Sequence, residues 1–189
     1  WIRMKPDKIT KYGLLEVCEL ISGKRGKVSE GSYYIYGAGI NAKGTTDKFN
    51  CERDTIRLTR KGTVGAVYFH RSPFWIDGDS FRVEPKEMID KRYLFHWLLM
   101  NRKEIEQCAD GNNQPGLSVA RLSKLTIDVP DMEYQLKAVK LLDEMSTGLE
   151  FFIDNITQIK KLESKVLSYY NEKIGVALER GELNEKLGE

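Results

Sequence analysis

The sequence predicts an α+β chain: a mixed globular part of short strands and helices, followed by a long C-terminal helix of the coiled-coil-forming kind. Three observations carry this. Residues 1–85 hold short runs rich in aromatic and β-branched residues, separated by glycine-rich turns. From about Asp90 the apolar residues switch to helical spacing. After Pro130 they settle into a 3.5-residue repeat lasting four heptads.

The elements follow in chain order. In LLEVCELISG, 14–23, Leu14, Val17, Cys18 and Ile21 fall at helical spacing and Gly23 supplies a stop, which predicts a short helix. YYIY at 33–36 is a strand candidate that runs into GAG at 37–39, and KGTTDKFN after it reads as turn-forming. TIRLTR at 55–60 alternates, with Ile56 and Leu58 on one face and Thr55, Arg57 and Thr59 on the other. AVYF at 66–69 and FRVE at 81–84 are further strands, with PFW at 73–75 and the turn DGD at 77–79 between them. Tyr93, Leu94, Trp97, Leu98 and Ile105 share one face of a helix running from Asp90 to about Cys108. The loop DGNNQPG at 110–116 breaks that helix, and LTIDV at 125–129 is a strand stopped by Pro130.

Asp131 is placed to cap a helix that meets no glycine or proline until Gly148. Leu142, Met145, Leu149, Phe152, Ile156, Ile159, Val166 and Tyr170 form its a/d seam, broken only where Glu163 falls beside Leu162. From Asp131 to Ile174 such a helix is about 66 Å long at 1.5 Å per residue. A globular part of this size does not cover that length, so the seam predicts a partner helix. The expected organisation is a domain at 1–130 and a helical region at 131–189, whose polar tail GELNEKLGE frays.

Composition narrows the function. Hydrophobic residues make up 41% and charged residues 31%, which excludes collagen-like and strongly disordered chains. The apolar run YLFHWLLM is far shorter than a membrane span, and the start lacks the pattern of a secretory signal. Because it begins with Trp1, the chain is expected to be a fragment or to carry extra residues before Met4. Cys18, Cys51 and Cys108 form no CxxC pair, so no disulfide framework or zinc site is expected and a reducing cytoplasm is the simple reading. Residues 1–71 carry a net charge of +7, while residues 72–189 carry −5. A basic first third suits a polyanion; an ordinary solvated surface is the alternative.

Several motifs bear on chemistry. Gly37-Ala-Gly39-Ile-Asn-Ala42 matches a dinucleotide turn, but no helix pattern follows it, so a backbone turn is expected. Asp79, Glu84 and Lys86 resemble the carboxylate–lysine set of metal-dependent nucleases, with Pro85 interrupting the strand that should carry them. His70 and His96 have no ligand-spaced partners, and no nucleophile motif is present, so neither a catalytic nor a metal site is expected. RKGTVG at 60–65 sets Arg60, Lys61 and Thr63 among glycines that allow close approach to phosphates. Asn112, Asn113 and Gln114 sit in a loop and have side chains able to read adenine edges. Lys24, Arg25 and Lys27 add charge in SGKRGK.

The ordered set YYIYGAGINAKGTTDKFN, RKGTVGAVYF, SPFWIDGDSFRVEP, DGNNQPGLSVARLSKLTIDVP and EYQ resembles the specificity subunit of type I restriction–modification systems over roughly residues 14–175. The resemblance implies a target recognition domain followed by a conserved helical region, without catalytic activity of its own. It implies duplex DNA as ligand, one half of a split site being read by each recognition domain. It also implies docking to a methyltransferase subunit, which alone carries AdoMet, and to a restriction subunit. This chain would supply one recognition domain and one helix, either as a half-length subunit that dimerises or as a piece of a longer one. Recognition domains of that family differ mainly in their base-reading loops, so the matching pieces are expected to be largely framework.

The expected DNA contacts are Lys24, Arg25, Lys43, Arg60, Lys61, Thr63, Asn112 and Gln114. The alternatives from other classes are a metal-dependent nuclease using Asp79, Glu84 and Lys86, and a purely structural coiled-coil adaptor.

Overall fold

The structure is a computed structural model and describes residues 6–111 and 114–179. Strand β1, Ile9–Gly13, pairs antiparallel with β11, Thr126–Pro130, in the register Ile9 to Pro130 and Gly13 to Thr126. A single helical turn, α1 (Leu14–Val17), follows and buries Leu14 and Val17. The chain then extends as β2, Cys18–Ser22.

This corrects the helix expected over 14–23. Cys18–Ser22 lies in antiparallel register against Phe81–Pro85 and satisfies that neighbour's backbone along the edge of the sheet. Pairing with a strand distant in sequence outweighs the local helical spacing. Only Leu14 and Val17, one turn apart, keep the helical pattern.

Two sheets build the rest. β3 (Tyr33–Tyr36) lies between β4 (Ala42–Thr46) and β7 (Trp75–Ile76), antiparallel to the first and parallel to the second. β4 falls where turn-forming residues are expected; Thr45 and Thr46 sit opposite Tyr34 and Tyr33 and supply β-branched partners. The larger, antiparallel sheet has the order β2-β8-β5-β6, with β5 at Thr55–Thr59, β6 at Val67–His70 and β8 at Ser80–Pro85. Alternation along β5 is as expected, but all five of its residues are buried. Ile56 and Leu58 lie opposite Val83 and Phe81 in the main core. Arg57 is paired with Tyr68 and Arg82, so its side chain leaves by the other face, together with Thr55 and Thr59.

Asp90 caps α2, Lys91–Met100, by accepting the N–H groups of Arg92 and Tyr93. Leu94, Leu98 and Ile105 are fully buried, as their shared face predicts. The expected single helix breaks at Asn101, and α3 (Arg102–Glu106) continues. A short hairpin, β9 (Ala109–Asp110) with β10 (Gly116–Leu117), and α4 (Val119–Leu122) lead into β11.

Helix α5 runs from Met132 to Glu179 as one 48-residue element, about 72 Å of helix. Asp131 accepts the N–H of Tyr134 at 2.9 Å, the cap that the sequence predicts. The chain divides into two compact units, one ending at Leu141 and the other beginning at Leu142. The first takes in the start of α5, which Gln135 ties to it. Gln135 is 1% exposed. Its Oε1 accepts from Asp90 N–H at 2.7 Å, and its Nε2 donates to the carbonyls of Met88 and Pro130 at 3.1 and 2.9 Å. The tail GELNEKLGE lies outside the described residues.

Candidate nucleic-acid interface

The glycine-rich loops meet beside β5. Arg60 and Lys61 donate their N–H groups to the carbonyl of Asp79 at 2.8 and 3.1 Å. Leu117 donates to the Arg60 carbonyl at 2.9 Å, and Lys61 bridges to Gly116. This places RKGTVG against the end of DGNNQPG. Gly62 has φ +70°, a left-handed conformation that favours glycine, and a Cβ there would lie 2.5 Å from that of Ala38. Thr63 donates its N–H to the Ala38 carbonyl at 3.3 Å, so the loop after β3 is fastened to the same place. The result is a groove lined by Ala38, Lys61, Gly62, Asp79, Gln114 and Pro115.

Arg57 organises the back of this region. Its side chain is fully buried, and its acceptors are neutral. Nη1 donates to the carbonyls of Gly37 and Gly39 at 2.7 and 3.0 Å, Nη2 donates to Gly39 at 3.0 Å, and Nε donates to His70 Nε2 at 3.1 Å. The guanidinium carbon sits 4.9 Å from the Tyr36 ring and 4.2 Å from the Tyr68 ring. Burial lowers the Arg57 pKa to about 10. Burial first, and then the Arg57 charge, lower the pKa of His70 to about 4. Neutral His70 thus accepts from Arg57 and stacks on Phe74, with ring centroids 4.0 Å apart. The GAG segment is therefore a loop gripped by an arginine fork, and the dinucleotide reading of it is set aside.

The predicted DNA contacts separate into groups. Lys61 and Gln114 share the groove. Thr63 and Arg60 are engaged in framework: the Thr63 carbonyl accepts from the Thr59 hydroxyl, and the Arg60 guanidinium lies 5.5 Å from the Phe81 ring. Lys43 is held by carboxylates, with its Nζ 2.5 Å from Asp77 Oδ2 and 3.0 Å from Asp79 Oδ2. Hydrogen bonding to Asp77 raises its pKa, so it stays charged and paired. Lys24 and Arg25 are exposed, and the Lys24 backbone is pinned by Ile76 and Trp75. Asn112 lies outside the described residues.

The nuclease set is not assembled. Asp79 and Glu84 are five residues apart on an extended segment, roughly 16 Å at 3.3 Å per residue. Asp79 pairs with Lys43, Glu84 lies 2.8 Å from Arg82, and Lys86 donates to the Leu15 carbonyl at 3.1 Å. Among the described residues no group of three His, Cys, Asp or Glu side chains is placed to hold a metal. Cys18 and Cys51 are buried, which pushes their thiols up to about 12 and about 11.

In the second unit the predicted seam is a solvent-facing stripe. Met145, Leu149, Phe152, Ile156, Ile159 and Val166 are between 40% and 62% exposed, while Leu142 is half-buried. The side chain of Tyr170 lies outside the described residues. Ile153, Leu162 and Leu167 widen this stripe, which the strict a/d count missed. Arg57 was missed as a site residue, and Asp79 was named only in the nuclease set. The only signal for Arg57 was a lone arginine inside an alternating β-branched strand.

Comparison with known proteins places these features in context. The family model described as "Type I restriction modification DNA specificity domain" matches residues 6–164. A protein of Mycoplasma pneumoniae named as a type I specificity subunit is 28% identical over 122 residues, covering 65% of this chain and 35% of its own length. One of Mycoplasma genitalium, named in the same way, is 24% identical over 144 residues, covering 75% of this chain and 38% of its own. The crystal structure of the S subunit of a type I restriction-modification system from M. genitalium shares the fold, with a TM-score of 0.69 at 22% identity over 78% of this chain and 43% of that one. The chain spans less than half the length of each of these three relatives.

Proposed function

Since the chain belongs to the type I restriction modification DNA specificity domain family, we propose that it reads one half of a split duplex DNA sequence for a type I restriction–modification complex. The observation that carries this reading is the meeting of the loop at 60–65 with residues 114–116 in one groove, which Lys61 and Gln114 both line. Glycines let a duplex approach closely, a lysine supplies charge, and an amide supplies hydrogen bonds to base edges. Exposed Lys24 and Arg25 add phosphate contacts.

In this reading the chain itself does no chemistry and holds no cofactor. AdoMet belongs to a methyltransferase subunit that docks on the helical region, and a restriction subunit joins that assembly. The apolar stripe of α5 packs along a second helix as a coiled coil. That helix comes from a second recognition half, either a copy of this chain or part of a longer polypeptide. No helix among the described residues is long and apolar enough to cross a membrane, and a cytoplasmic setting suits a DNA-directed subunit.

The test is to purify the chain with its genomically adjacent methyltransferase and map which adenines become methylated. A split recognition sequence, lost when this chain is omitted, supports the reading. A chain that binds no duplex even at low salt and directs no methylation sinks it, leaving a structural adaptor. Plasmid cleavage by the chain alone with Mg²⁺ or Mn²⁺ would instead revive the nuclease.

A further inference from the structure

We infer that residues 23–31 form a pre-set basic strap that grips the DNA phosphate backbone through Lys24, Arg25 and Lys27, and that Trp75 and Gly26 are its positioning residues. This rests on the DNA-recognition reading above and assigns an element that holds the duplex.

The strap is fastened by its main chain. Gly23 donates its N–H to the Ser80 carbonyl at 3.1 Å and Lys24 donates to that of Ile76 at 3.2 Å, while the Trp75 indole Nε1 donates to the Lys24 carbonyl at 2.8 Å. At the other end the Ser29 N–H donates to the Thr45 carbonyl, and the Thr45 hydroxyl donates to the Ser29 carbonyl, both at 2.9 Å. Glycines stand where the strap touches what lies beneath it. A Cβ on Gly23 would fall 2.1 Å from the Asp77 carbonyl oxygen, one on Gly26 would fall 2.8 Å from Trp75 Nε1 and 3.3 Å from Ile35 Cδ1, and one on Gly31 would fall 2.0 Å from the Thr46 carbonyl oxygen. The segment thus crosses the smaller sheet from β7, past Ile35 of β3, to β4.

With the backbone against the sheet, the side chains of Lys24, Arg25 and Lys27 are all exposed. These three cations fall within four consecutive positions, and among the described residues none of them is paired with a carboxylate. Asp77, whose carbonyl Gly23 packs against, gives its carboxylate to Lys43, and Glu30 is the one acid within the strap. Exposed, unpaired cations are the groups that displace counterions from phosphate. Arg25 lies between pinned Lys24 and Gly26, which sits on the Trp75 ring, so its main chain is fixed on both sides. A cation on a fixed backbone loses less conformational freedom on binding than one on a free loop.

Duplex binding of the full chain, with its adjacent methyltransferase, is measured across a salt series, with urea melts of each variant alongside. Replacing Lys24, Arg25 and Lys27 together with alanine should flatten the plot of log K against log salt by about three units. Trp75→Phe keeps an aromatic ring beneath Gly26 and removes the bond to Lys24. It should weaken binding to every duplex by about 2- to 10-fold at an unchanged salt slope, because no charge is lost. In the triple-alanine background the same change should alter binding by less than about two-fold. A merely structural tryptophan would reduce binding equally in both backgrounds, which overturns the inference. An unchanged affinity for Trp75→Phe, or an unchanged salt slope for the triple variant, overturns it too. Gly26→Ala, which pushes the strap off an intact indole, carries the same test if Trp75→Phe folds poorly. Failure of wild type to bind any duplex would overturn the DNA-recognition reading as well.

Discussion

Arg57 Nε donates to His70 Nε2 at 3.1 Å, so the buried guanidinium depends on a histidine that stays neutral. The same fork holds the Gly37 and Gly39 carbonyls, and through Ala38 it sets the wall of the groove. The groups facing His70 are Arg57, Tyr36, Tyr68 and Phe74.

Acid should therefore loosen the fold. The folded-state pKa of His70, about 4, lies below the ordinary 6.5. The unfolded chain then binds the proton more readily, and stability present above pH 6.5 is lost as pH falls toward 4. At pH 5 the loss is about 2 kcal/mol from this group, at 1.36 kcal/mol per unit. Urea melts at pH 7 and pH 5 measure it. His70→Gln keeps an acceptor without titrating and should reduce the pH dependence; an unchanged slope would assign it to other groups.

Gly62→Ala should destabilise by about 1–3 kcal/mol, because φ +70° is unfavourable for alanine and its Cβ meets Ala38. Adding Ala38→Gly removes the clash but not the backbone strain, so denaturation midpoints should recover only in part. Full recovery would show that contact alone was at fault.

Salt dependence of DNA binding should separate the lysines. Replacing Lys24 and Arg25 with alanine should flatten the plot of log K against log salt by about two units if both meet phosphate. Lys43→Ala should leave that slope unchanged or make binding weaker at every salt, because the Lys43 charge is already committed to Asp77 and Asp79. A one-unit drop for Lys43→Ala would return it to the phosphate contacts.

Ile156→Asp places a charge on the exposed seam of α5. Burial of an unpaired carboxylate between helices is costly, so self-association or methyltransferase docking should fall by at least tenfold. Sedimentation velocity of the chain alone and with its partner reads both. An identical distribution of species for the two proteins would remove the seam as an interface.

The long helix and the residues that line the groove were legible to different depths. Period alone marks α5, because a long heptad seam is a local property of consecutive residues. The same holds for the Leu94, Leu98 and Ile105 face and for the Asp131 cap. Strands were legible where alternation was strong, as in Thr55–Thr59. Cys18–Ser22 was not, because its state was decided by Phe81–Pro85, about sixty residues away.

What the sequence determined by itself was therefore the class, the long helix, the basic first third and the loops that carry polar chemistry. Tertiary structure alone decided the pairings: that Arg57 turns inward to grip Gly37 and Gly39, that Lys43 is spent on Asp77 and Asp79, and that Lys61 shares a groove with Gln114. The physical reason is range. Helical periodicity and capping act within a few residues, whereas a charge takes its meaning from whichever partner the folded chain brings within hydrogen-bonding distance.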